Sequence, residues 1–200
     1  MSVRDGVSSA VILAGILLVS TRTYAEDRQI RPFIGATFAG ATTFVDLEDA
    51  AGRGHLAIGA SAVFLGEVFG AEVDVTDVPG FFESGKHLVV LSRVTAVSGN
   101  VIVAAPRSRT EYSLRPYFVG GAGLMRVRTT TSFDVFDVAS IIPAIDVGGG
   151  ALGFFTNRVG VCWELRRFQS VGSNVGNAGL SFGEEHLSFW RATMAVVIRY

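Results

Sequence analysis

Cysteine is nearly missing from this sequence, with Cys162 alone among 200 residues. One thiol excludes an internal disulfide framework and any zinc site built on several cysteines. Charge is also scarce: 17 basic and 18 acidic side chains amount to 18% of the chain, below the usual quarter. The formal net charge of −1 provides no basic surface, so nucleic acid is excluded as a partner. Proline occurs only five times, while glycine occurs 24 times. Mean hydropathy is +0.43, which rules out a disordered chain. Yet after residue 25 no apolar run approaches the ~18 residues that a membrane-crossing helix requires. The chain is greasy without a helical span, and that combination needs another explanation.

Residues 1–25 have the pattern of an export signal. Arg4 supplies a positive start, Ala10 to Val19 an apolar centre, and Thr23-Tyr24-Ala25 a small-residue exit. The apolar centre is too short for a spanning anchor, which takes about 20 residues. Cleavage after Ala25 is expected, leaving 26–200 as a single domain.

That domain alternates with period two, the mark of strands with two unlike faces. Trp190, Ala192, Met194, Val196, Ile198 and Tyr200 share one face, opposite Phe189, Arg191, Thr193, Val197 and Arg199. Val159, Val161, Trp163 and Leu165 oppose Arg158, Cys162, Glu164 and Arg166. Phe69, Ala71, Val73 and Val75 oppose Glu72 and Asp74, and Tyr117, Val119, Met125 and Val127 oppose Arg126 and Arg128. Mid-strand charges keep to one parity within each segment, whereas Glu67, Asp77, Arg115 and Arg167 fall at segment ends. An Arg facing hydrocarbon costs about 2–4 kcal/mol at mid-membrane and about 0–1 near the interface. The charge-free faces are therefore expected to meet lipid.

Candidate strands lie at about 31–43, 55–65, 67–78, 88–105, 113–129, 143–155, 158–169 and 186–200. Connections alternate between short (Gly66, 106–112, Thr156-Asn157) and long (45–54, 79–87, 130–142, 170–185). Eight antiparallel strands with this alternation predict an all-β, up-and-down transmembrane β-barrel of the outer membrane. Lipid allows no unpaired sheet edge, so the sheet must close, and eight strands leave an interior that side chains fill. A non-porin is expected, monomeric, with both termini periplasmic, four surface loops, and no cofactor or bound metal.

Arg115-Pro-Tyr-Phe-Val-Gly-Gly-Ala-Gly-Leu124 resembles a strand of the small eight-stranded outer-membrane barrels, the OmpA/OmpX-like group. Val147 to Phe155 followed by Val159-Gly-Val161 is similar, as is the ending from Phe189 to Tyr200. The resemblance spans roughly 31–200 and implies a Gram-negative outer membrane protein. It also implies that Trp190, Val196, Ile198 and Tyr200 form the C-terminal signal read by the barrel assembly machinery. The group is functionally diverse, so a structural or adhesin-like role through the loops is the expectation.

Glu72, Asp74 and Glu164 are expected in the lumen with Arg126, Arg166 and Arg191, as a plugging charge network rather than an ion path. Phe64, Phe69, Tyr117, Phe155 and Tyr200 are expected in one aromatic girdle, and Phe168, Phe189 and Trp190 in the other. Two competing functions come from different classes. His55, His87 and His186 lie near the long connections with Ser188, Glu184 and Glu185, a set that a lipid A-modifying hydrolase could use. A secreted lipocalin-like binder also has eight strands, but with apolar side chains inward. The glycines at 120–123 and 148–150 lack the following helix of a phosphate loop, and Cys162 reads as a space-filler.

Overall fold

The computed structural model describes residues 27–42, 54–81, 89–107, 110, 114–131, 137–171 and 187–200. The expected export signal, and most of the long connections, lie outside the described residues. Eight strands follow one another: β1 (Asp27–Thr42), β2 (His55–Leu65), β3 (Phe69–Pro79), β4 (Val89–Ala104), β5 (Arg115–Thr131), β6 (Asp137–Phe154), β7 (Val159–Ser170) and β8 (Leu187–Arg199). Each pairs antiparallel with the next, and β8 pairs with β1 to close the barrel. The β1–β8 ladder runs from Gln29↔Arg199 to Thr42↔Leu187, broken by a bulge between Phe38 and Ala41 where Ala39 takes a φ of 48°. No backbone edge is left for lipid to face, which is the condition for a spanning sheet.

Strand ends differ from expectation in two places. The third long connection is not 130–142: β5 runs to Thr131 and β6 begins at Asp137. The sequence reading stopped at Pro143, which lacks the N–H a ladder uses. In the structure the Pro143 carbonyl accepts from Val171 N, so its nitrogen side also faces β7, beyond the last paired couple Ala144↔Ser170. The missing donor therefore falls at the end of the β6–β7 ladder and leaves the β5 side, where Leu124 stands opposite Pro143, intact. β1 likewise begins four residues before the expected 31, at Asp27.

Alternation sorts the two faces of the wall. Ile30, Ile34, Ile58, Val73, Val101, Ile145, Trp163 and Met194 stand exposed on the outer surface. Inside, an apolar cluster around Phe81, Met125, Phe168 and Phe189 fills the long-loop end, and another around Phe33, Ile102, Leu152 and Val197 fills the short-turn end. An ionic layer lies between them.

The strand β5 is oriented the other way from the sequence expectation. Tyr117, Val119, Met125 and Val127 are buried in the lumen, while Phe118, Leu124, Arg126 and Arg128 face outward. Both faces of this strand carry apolar residues, so its parity does not say which is lumenal. Arg126 is thus not part of the interior charge network. The aromatic assignment is corrected with it: Tyr117, Phe168 and Phe189 point inward, whereas Phe64, Phe69, Phe155 and Tyr200 are exposed on the outer surface, joined by Phe118.

Candidate functional site: a lumenal ion network

Arg166 and Arg191 are completely buried and organise the middle of the barrel. The Arg166 guanidinium reaches Glu72 at 2.8 Å, Asp146 at 3.0 Å and Glu164 at 2.6 Å. Its Nε also donates to Glu164 at 2.7 Å, giving that carboxylate a bidentate grip. Arg191 donates to Asp74 at 2.8 Å and to Glu164 at 3.2 Å, and it also donates to the Thr76 hydroxyl. Its guanidinium lies between the Phe33 and Phe168 rings, 4.6 and 5.0 Å from their centroids. Neutral donors complete the layer: Asn100 Nδ2 to Glu72 at 3.1 Å and the Tyr117 hydroxyl to Glu164 at 2.8 Å. Glu164 is the shared node, since both arginines and Tyr117 converge on it.

Glycine makes this layer possible. Gly148 lies on the inward parity of β6, where an added Cβ would overlap the Leu165 carbonyl and the backbone and stem of Arg166. A bare backbone there lets β7 approach closely and frees the volume that the Arg166 side chain occupies.

Five of the six expected network residues, Glu72, Asp74, Glu164, Arg166 and Arg191, lie in the lumen, and Arg126 lies outside. Asp146, Asp27 and Arg31 are also buried there and were not anticipated. For Asp146 the signal was available, because it shares parity with Gly148 and Gly150 in β6. Asp27, Gln29 and Arg31 alternate in the same way, but the expected strand began at Arg31. Near the short turns a second ionic group closes the end. Asp27 pairs with Arg107 at 2.7 Å and with Arg199, and Arg115 donates to the carbonyls of Ala105 at 2.7 Å, Gly66 at 3.2 Å and Glu67 at 2.7 Å. Arg115 thus ties the β2–β3 and β4–β5 turns together.

Four carboxylates share two guanidinium groups in one cross-section, with apolar layers above and below. The inward charges and outward Ile, Val and Phe are the reverse of a lipocalin, which turns its apolar side chains to the interior. Cys162 is buried, with its sulfur 3.0 Å from the Tyr117 hydroxyl. The rim residues do not assemble among the described residues. His55 lies 5.5 Å from the Phe81 ring, Ser188 shares the outward parity of Trp190, and His87, Glu184, Glu185 and His186 lie outside the described residues. Trp190, Val196, Ile198 and Tyr200 line one outer stripe of the closing strand and its end.

No protein-family model and no curated protein matches the sequence. Solved structures do match the fold. Neisserial surface protein A superposes at TM-score 0.62 and 12% identity, covering 87% of this chain and 97% of that one. The outer membrane protein OprG of Pseudomonas aeruginosa gives TM-score 0.57 and 11% identity over 88% and 96%. The N-terminal β-barrel domain of Pseudomonas aeruginosa OprF gives 0.54 and 15% over 87% and 97%. In architecture the chain is similar to these small barrels: a closed, eight-stranded, up-and-down β-barrel.

Proposed function

We propose that this protein is a non-conducting barrel of a Gram-negative outer membrane that works at the cell surface, in a structural or adhesive role, with the β1–β2, β3–β4, β5–β6 and β7–β8 connections as the contact surface. The observation that carries the reading is the division of the wall. Ile30, Ile34, Val73, Val101, Val147, Met194 and Val196 expose large apolar side chains to the outside, while the Arg166 and Arg191 networks occlude the lumen. Water gains nothing from such a surface, whereas acyl chains do. A filled lumen favours a scaffold over a diffusion pore, and loops carried on a rigid barrel are where contacts with other molecules concentrate. The name of the neisserial relative, a surface protein, agrees with this placement.

The test combines three measurements on the full chain. It is expected in the outer-membrane fraction, to run with altered mobility on an unboiled gel, and to give no channel steps in a planar bilayer. Recovery in the soluble fraction, or steady porin-like conductance, overturns the reading.

A further inference from the structure

Among the outward-facing arginines of the described strands, three lie side by side on the wall. Arg93 on β4 and Arg126 and Arg128 on β5 are exposed and point away from the lumen. Register brings them together, with Arg93 directly opposite Arg128 and Thr95 opposite Arg126. Opposed residues on one face lie about 5 Å apart at Cβ, and like charges so placed repel. Among the described residues a single carboxylate lies against them. Asp77 is held by the Arg93 Nε and Nη2 at 2.7 Å and by Thr95 at 3.0 Å, so it is committed to β4. Arg126 and Arg128 have no ion pair or hydrogen-bond partner among the described residues. Immediately below this patch the wall turns apolar, at Val75, Val97 and Leu124.

We propose that Arg93, Arg126 and Arg128 form a docking site for the phosphorylated glycolipid of the outer leaflet, lipid A. Its phosphates would lie on the guanidinium groups and its acyl chains on Val75, Val97 and Leu124. Arginine favours phosphate because its planar fork offers two parallel donors. These two guanidinium groups, without a partner among the described residues, are two positions apart on one strand, a spacing of about 7 Å. A bis-phosphorylated sugar headgroup brings two such charges in one molecule, whereas a phosphodiester lipid brings one. Position agrees, because the patch adjoins the ends of β3, β4 and β5 that lead into the long connections. The inference rests on the proposed outer-membrane placement, with those ends in the outer leaflet.

The experiment uses the full chain refolded in zwitterionic detergent, with unboiled gel mobility recorded for every sample. Failure to refold indicts the membrane-barrel reading itself, separately from the site. On folded protein, binding of bis-phosphorylated lipid A, fully dephosphorylated lipid A and phosphatidylglycerol is titrated. Bis-phosphorylated lipid A is expected to bind, and each lost arginine to weaken it about fivefold, so that R126Q/R128Q loses roughly 20- to 30-fold. R126K/R128K, which keeps the charge and loses the planar fork, should fall between wild type and R126Q/R128Q, and R158Q, exposed at the short-turn end, should bind as wild type. Undiminished binding by R126Q/R128Q, or equal affinity for dephosphorylated lipid A or phosphatidylglycerol, overturns the proposal.

Discussion

Arg166 on β7 donates to Glu72 on β3 across the full width of the barrel, at 2.8 Å and a separation of 94 residues. In a ring of eight strands in sequence order, the third and the seventh stand opposite one another. The contact is therefore a strut through the lumen, and Arg166 also binds Asp146 on β6 and Glu164 on its own strand. Arg191 reaches Asp74 on β3 in the same way from β8. The interior is braced by charge across its diameter as well as filled by apolar side chains.

Replacing Arg166 with Met is expected to lower barrel stability by about 3–5 kcal/mol, because three buried carboxylates lose their shared cation. The midpoint of the heat-induced mobility shift in detergent measures it. Combining Arg166→Met with Glu72→Gln should recover part of the loss, since one stranded charge is removed. An unchanged midpoint for Arg166→Met would show that the struts carry no net stability.

Gly148→Ala and Gly99→Ala should separate sharply. The first puts a methyl group into the Leu165 carbonyl and the Arg166 stem, whereas nothing lies within 4 Å of the position a Cβ would take at Gly99. Overpacking of a tight interior costs about 1–3 kcal/mol. Gly99→Ala, on the outer face, should be neutral or mildly stabilising because it limits the unfolded chain. Urea unfolding from lipid vesicles gives both values.

An arginine scan of the outer face should trace the depth of the apolar belt. Val73→Arg, near the middle of β3, is expected to cost about 2–4 kcal/mol, and Thr95→Arg, beside Asp77, about 0–1 kcal/mol. Equal costs at the two positions would mean that the outer face does not lie in hydrocarbon.

The closing strand should matter more in cells than in detergent. Tyr200 is exposed, and its backbone nitrogen donates to the Arg28 carbonyl at 3.2 Å. That rung survives Tyr200→Ala, so refolding in detergent is expected to proceed normally. If the terminal aromatic is what the assembly machinery reads, the variant should accumulate unfolded in the periplasm. Wild-type levels of heat-modifiable protein in the outer membrane would remove that role.

Strand number and strand parity were legible in the sequence because each depends on neighbours along the chain, whereas the expected alternation of short and long connections fails at β5, where the connection before it (105–114) is longer than the one after it (132–136). In β7 and β8 the mid-strand charges Glu164, Arg166 and Arg191 mark one face, so the side turned to the lumen could be inferred from cost alone. β5 offered no such mark. Its arginines lie toward its two ends, Arg115 at one and Arg126 and Arg128 at the other, and both its faces are apolar, so the assumption that charge points inward failed for Arg126. At the interface an outward arginine costs little, and there the parity rule loses its force.

The residues by themselves determined that eight two-faced strands would form, because a period of two with one uncharged face admits no other regular element. Only the closed tertiary structure decided how β5 is rotated and which charges meet. Pairing β8 with β1 fixes the register of the whole ring, sets β3 against β7 and β8, and brings Glu72 and Asp74 to Arg166 and Arg191. Those distances belong to the geometry of closure, since no local pattern records which residue lies across a lumen.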